Sequence, residues 1–98
     1  MEFTFEAPAW RWSGEKATRY FVTVPADVSA ALRAFAVDAA RGFGSVRVGA
    51  RIGGTTWSTS VFPDKASGCY FLPVKATVRR AEALATGVPL AVTLTLDP

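Results

Sequence analysis

Apolar and polar residues alternate at the start of the chain. Phe3 and Phe5 fall on one face, and Glu2, Thr4 and Glu6 on the other. A period of two belongs to a half-buried strand, read here as Glu2–Trp12. Pro8 has no N–H, so this strand is expected to bulge there or to run along an edge. Ser13-Gly14-Glu15-Lys16 is a polar turn, and Arg19–Val24, rich in β-branched and aromatic residues, is a second strand that completes a hairpin. Pro25 stops it, and the period then changes. Val28, Leu32, Phe35, Ala36 and Ala39 recur at helical spacing, with Ser29, Arg33 and Asp38 between them. The pattern predicts one amphipathic helix over about residues 27–40, with Asp27 as N-cap, Gly42 as the C′ residue and the apolar stripe on the sheet.

The strongest local pattern is Ser45–Phe62. Gly53-Gly54 lies between two β-rich runs and predicts a two-residue hairpin turn with positive φ at both glycines. That turn fixes the register: Ile52 opposite Thr55, Arg51 opposite Thr56, Ala50 opposite Trp57, Gly49 opposite Ser58, Val48 opposite Thr59 and Arg47 opposite Ser60. Val46, Val48, Ala50, Ile52, Trp57 and Val61 then share a core face, while Arg47, Gly49, Arg51, Thr56, Ser58 and Ser60 share a basic, hydroxyl-rich one. After a loop at Pro63–Gly68, Cys69–Leu72 reads as a short strand. Ala76–Ala85 reads as a short helix ended by Gly87, with Thr77 able to delay its start as a cap. Leu90–Leu96 is a strand with one buried face. The order β-β-α-β-β-β-α-β describes a mainly β chain, a small barrel or strongly coiled sheet with two helices packed on it.

Composition narrows the chemistry. A chain of 98 residues suits one domain, since domains commonly hold ~100–150 residues. Half the residues are hydrophobic, enough for one core and too many for disorder. There is no histidine, which removes Ser-His-Asp triads, Cys-His pairs and imidazole metal ligands. The single Cys69 forbids an internal disulfide and any CxxC motif, and fits a reducing cytosol. Glu2 and Glu6 stand where a signal peptide carries positive charge, and no apolar run approaches the ~20 residues of a membrane span. No cofactor motif, metal cluster, repeat or linker is visible. The net charge of +3 permits contact with polyanions without amounting to a nucleic-acid signature.

Several runs resemble the bacterial family called domain of unknown function nineteen-oh-five. They are Gly42-Phe43-Gly44-Ser45-Val46-Arg47-Val48, then Ile52-Gly53, then Trp57-Ser58-Thr59-Ser60-Val61-Phe62-Pro63. The run Tyr70-Phe71-Leu72-Pro73-Val74-Lys75-Ala76-Thr77-Val78-Arg79, followed by Gly87 and the closing strand, extends the resemblance across residues 2–97. It implies a small β-barrel, found alone or joined to other small bacterial domains, and brings no established activity. Where the family tends to carry an acidic residue after the last-turn glycine, this chain has Val88-Pro89. The Pro-x-Lys…Arg, short helix, Gly, strand arrangement is also loosely similar to swapped-hairpin transcription regulators.

Two basic patches are candidate binding sites. Lys75 and Arg79, four residues apart at the second helix, could hold a phosphate or carboxylate, helped by backbone N–H groups at the helix start. The plainer reading pairs Arg79 with Glu82 and leaves Lys75 solvated. Arg47 and Arg51 flank Gly49 opposite Ser60, Ser58 and Thr56, a shallow cradle or an ordinary solvated face. Trp57, Trp10, Trp12 and Phe43 could line a pocket or stack on bases, or simply fill the core. Trp10 and Trp12 face the same way, beside Arg11. Enzymatic readings rank last: Cys69 has no activating His, and Ser60 with Lys75 is the one Ser-Lys pairing to consider. The expected function is a cytosolic binding module in which Arg47, Arg51, Trp57, Thr59, Ser60, Lys75 and Arg79 hold a small anionic or polar ligand. Nucleic-acid binding, with a dimer as one form of it, and a protein-partner role are the alternatives.

Overall fold

The computed structural model describes residues 1–38 and 44–96. The expected helix end at Ala39–Gly42, and Phe43, lie outside the described residues. Among the described residues the strands are β1 (Glu2–Ser13), β2 (Thr18–Thr23), β3 (Val46–Ile52), β4 (Thr55–Pro63), β5 (Tyr70–Pro73) and β6 (Pro89–Thr95). The helices are α1 (Ala26–Asp38) and α2 (Ala76–Glu82), giving the expected order β-β-α-β-β-β-α-β. The strands close into a barrel, β1-β2-β5-β4-β3-β6, with every neighbouring pair antiparallel.

Closure depends on β1 serving two partners. Glu2–Pro8 pairs with β6 and Ala9–Ser13 pairs with β2, so the strand passes from one half of the barrel wall to the other. Pro8 sits at the handover, paired with Pro89, where a missing N–H interrupts neither ladder. The proline therefore marks a change of partner inside a continuous strand, in place of the expected bulge or edge. Beside it Gly87 donates its N–H to the Ala9 carbonyl at 3.0 Å and Ala9 bridges Thr86. β4 makes the matching switch opposite, from β3 through Val46↔Val61 to β5 at Phe62↔Phe71.

The β3–β4 register is the one the hairpin turn dictates, from Ile52↔Thr55 to Val46↔Val61. Within the turn only Gly53 has positive φ, at 60°, which is the pattern of a II′ turn instead of one with both glycines left-handed. The inward row is the predicted one: Val46, Val48, Ala50, Ile52 and Val61 are buried, and Trp57 packs against them half-buried. Leu72, Val22, Val92 and Leu94 from the other strands are fully buried beside them. Each such side chain contributes roughly 1.5–3 kcal/mol of burial.

The helices close opposite ends. α2 leaves the end of β5 and returns to the start of β6, at the rim that carries the β1–β2 and β3–β4 turns. α1 leaves the end of β2 and returns to β3 at the other rim, where Val28, Leu32 and Ala36 join the barrel core. Its stripe thus packs, as expected, on the sheet, against the inward face at that end of the barrel. Helix α1 begins one residue before Asp27, whose Oδ1 accepts from the Val28 N–H at 2.9 Å within the first turn, so Asp27 is not the cap. The N-cap of α2 is Lys75, not Thr77, and the helix stops at Ala83 in the left-handed region, four residues before Gly87. Cys69 precedes β5 instead of opening it, half-buried and free.

Ser29, expected on the polar side of α1, is wholly buried. Its Oγ donates to the Val24 carbonyl and accepts from the Tyr70 N–H, both at 3.0 Å, tying α1 to the end of β2 and the start of β5. Removing that hydroxyl strands a buried N–H and a carbonyl at a cost of about 1–3 kcal/mol. Ser29→Ala is therefore expected to lower the unfolding free energy by that amount, read as a lower urea midpoint at an unchanged m-value; an unaltered midpoint would show the pin to be dispensable.

Candidate functional site

Among the described strands β5 is the shortest, and its length opens a concavity. It meets β2 at Phe21, Val22 and Thr23, and β4 only at Phe62 and Pro63. Above Pro73 the chain leaves for α2, so β2 and β4 part company around the mouth of the barrel. The Val74 N–H still reaches the Tyr20 carbonyl at 2.9 Å, which makes Val74 the floor of a groove. The groove has a volume of about 700 Å³, within the range of small-molecule sites.

Its walls combine aromatic rings with cations. Phe21, Phe62 and Phe71 come from the outward faces of β2, β4 and β5, and Tyr20 and Thr59 from the inward rows that also hold buried Val22 and Val61. Arg19, Lys75 and Arg79 also line it, and among the described residues no carboxylate does. Among the described residues, none of these three cations forms an ion pair. The Arg79 guanidinium lies 3.8 Å above the Tyr20 ring centroid, and its Nε is buried with no hydrogen-bond partner. Stacking on the ring fixes the guanidinium plane and leaves the terminal nitrogens as its available donors.

Glu82 does not neutralise Arg79. Its carboxylate instead accepts from Thr55 Oγ1 at 2.5 Å, and a Cβ at Gly53 would collide with Glu82 Oε1. Gly53 thus serves twice, supplying positive φ and making room for the carboxylate that docks the last turn of α2 on the β3–β4 turn. Arg79 is left to Tyr20, one turn back along the helix.

The second basic patch is separate. Arg51 and Trp57 line a shallower concavity of about 520 Å³ on the outer wall of β3, β4 and β6, together with Gly49, Thr56, Ser58, Thr93 and Thr95. Glu2 shares it, so its charge is mixed. Trp57 Nε1 is buried without a hydrogen-bond partner. Arg47 and Ser60 oppose each other on the outward face of the hairpin and line neither concavity. Of the seven residues singled out from the sequence, Thr59, Lys75 and Arg79 are brought together. Ser60 does not line the groove that Lys75 lines.

Sequence reasoning overlooked Arg19, Tyr20, Phe21, Phe62 and Phe71. A signal was present: Phe21, Phe71 and Phe62 each adjoin a buried aliphatic residue, Val22, Leu72 and Val61, so strand alternation turns all three rings outward. Three outward phenylalanines on adjacent strands exceed what a solvated face needs.

A family model described as Domain of unknown function (DUF1905) matches residues 5–94, nearly the whole chain. The chain belongs to this family. No curated protein matches it. In this DUF1905 barrel two of the runs that resemble the family meet at the groove. Trp57–Pro63 supplies Thr59 and Phe62, and Tyr70–Arg79 supplies Phe71, Lys75 and Arg79. Val88, after Gly87, is exposed and does not line the groove. Among the described residues, no cluster of His, Cys, Asp and Glu could hold a metal ion, and no helix is long and apolar enough to cross a membrane.

The Glu82–Thr55 bond makes a local prediction. Thr55→Val is expected to speed amide exchange across Val78–Ala83 about tenfold, while amides of the β1–β6 ladder keep their protection. Equal acceleration everywhere, or none at α2, would show that this bond does not hold the helix.

Proposed function

We propose that this barrel is a binding module whose groove takes a small anionic ligand with an apolar body. The observation that carries the reading is three cations, Arg19, Lys75 and Arg79, without ion-pair partners among the described residues, set around aromatic walls in one groove. Like charges held close repel one another, and an anion between them removes that cost. The aromatic walls favour a ligand with a flat or aliphatic part to bury. Arg79, its plane fixed on Tyr20, is prepared to meet a carboxylate or phosphate with little further loss of side-chain freedom. The chain has no histidine, and its outward serines on β4 have no general base in hydrogen-bond reach among the described residues, which supports binding over catalysis. A lone, unpaired cysteine supports a reducing cytosolic setting, and the family resemblance a bacterial source.

The test is a thermal-shift series with inorganic phosphate, benzoate and 1-naphthyl phosphate. A ligand at ten times its Kd stabilises by about 1.4 kcal/mol, which moves the Tm of a domain this size by several degrees. The expected order is 1-naphthyl phosphate above benzoate and phosphate, because it satisfies both the cations and the rings. The shift should vanish in the Lys75→Ala/Arg79→Ala double variant. A shift that survives the double substitution, or the absence of any shift in the series, would remove the groove as the site.

A further inference from the structure

The aromatic wall does not stop at the groove. β1 carries Trp10 and Trp12 on the same outward face, and the register places Trp10 opposite Phe21 and Trp12 opposite Arg19. Trp10 lies 5.0 Å from Phe21 and 5.0 Å from Phe71 between ring centroids, with Phe21 and Phe71 6.1 Å apart. The Trp10 indole N–H donates to Thr23 Oγ1 at 2.9 Å, which holds this ring in place. At the two ends of the row Trp12 and Phe62 are each 48% exposed. The Trp12 ring lies close over Gly14, where a Cβ would strike it, so the hairpin turn supports the ring. The result is an aromatic band across β1, β2, β5 and β4, roughly three inter-strand spacings of ~4.8 Å wide. Neither helix covers it, since both close the ends of the barrel.

A small anion in the groove uses only part of this band. Trp10 and Trp12 lie outside the groove, yet they extend its aromatic surface past Arg19, one of its three cations. Beyond Trp12 the turn holds Glu15 beside Lys16, which offset each other. What fits flat rings in succession together with unpaired cations is a chain of planar groups joined by anions.

We infer that the DUF1905 barrel binds single-stranded nucleic acid, with bases stacked along the Phe62–Phe71–Phe21–Trp10–Trp12 band and a phosphate held by Arg79, Lys75 and Arg19. The inference rests on the groove being an anion site and names its ligand as a nucleotide of a strand. Stacking accepts any base, so the mode is tolerant of sequence. A duplex, whose bases are stacked internally, offers nothing to the rings.

Fluorescence anisotropy with labelled ten-residue oligothymidylate tests it, with thymidine monophosphate and a duplex as competitors. Three phosphate contacts give an expected slope of log K on log salt of about −2, at ~0.7 per contact on a single strand. Lys75→Ala/Arg79→Ala should weaken binding at least tenfold and flatten the slope to about −0.7. Phe62→Ala and Trp12→Ala should each cost about tenfold and leave the slope alone. Both side chains are exposed, so the variants should keep the parent Tm; Phe71→Leu, which retains apolar packing but lacks a ring, gives an independent reading. The inference is overturned if the oligonucleotide fails to bind at about 50 mM salt, if ring removal has no effect, or if the duplex competes equally. It is overturned too if the monophosphate competes as well as the strand, which would make the ligand a free nucleotide. In each of those cases a persistent 1-naphthyl phosphate shift would leave the groove standing as an anion site, whereas loss of both responses would dismiss the two readings together.

Discussion

The structure depends on one strand that belongs to both halves of its wall. β1 hands its hydrogen bonds from β6 to β2 between Pro8 and Ala9, and without that handover the sheet would have two free edges. The constraint reaches the sequence directly. A proline is unfavourable within a continuous ladder, yet at the handover its missing N–H costs little, and the facing residue is also a proline, Pro89. Closure in turn makes the interior a single apolar space. The inward residues form one buried cluster, and the ends of the barrel are the places where core would otherwise meet water.

The two ends are closed differently, and that difference positions the groove. At the α1 end, β2, β5 and the helix are joined through one buried hydroxyl, with the Val24 N–H also reaching the Tyr70 carbonyl at 2.9 Å. Four-residue β5 is thus anchored at its start. It has no such tie to β4 above Phe62, and beyond Pro73 the chain must turn outward to build α2. The short strand therefore leaves a slot in a wall that is otherwise continuous. α2 is docked at its far end by Glu82 on Thr55, which commits the carboxylate nearest Arg79 in the helix to another partner. An uncompensated guanidinium at the groove follows from how the helix is fastened.

Much of this was legible in the sequence, for identifiable reasons. The β3–β4 pairing could be read residue by residue because a two-residue glycine turn admits one register and the side-chain period is two. The buried rows of β1, β3 and β6 followed from the same alternation, and Lys75, Arg79 and Thr59 were singled out individually. Three features were hidden. Ser29 looked polar and therefore solvated, since helical spacing does not show a backbone N–H from a strand arriving forty-one positions later. The start of α2 at Ala76 is the expected one, but its end falls earlier, because Ala83 adopts the left-handed conformation that Gly87 advertised. The separation of the two basic patches depends on where β4 changes partners, a tertiary choice with no local signature. The outward aromatic band is written in the alternation, but rings of this size suit a core equally well.

Local rules are obeyed closely at the α1 end and broken at the α2 end. Ser29 satisfies the groups it buries, whereas Arg79 Nε and Trp57 Nε1 are buried without partners, both on elements that meet at the α2 rim. An unsatisfied buried donor costs about 1–3 kcal/mol, and such costs are retained in folded proteins chiefly where binding makes use of them. Stability considered alone would favour a leucine at residue 79 and a longer β5 that sealed the slot. What the chain has instead is a charge without a counter-charge, held flat against a ring, beside a gap in the wall and under a band of outward aromatics. A fold that is rigid because its sheet has no edge can tolerate that arrangement, since closure elsewhere keeps the cations from relaxing away. The well-satisfied end, tied through Ser29, is the support on which the end with the unpartnered donors is held.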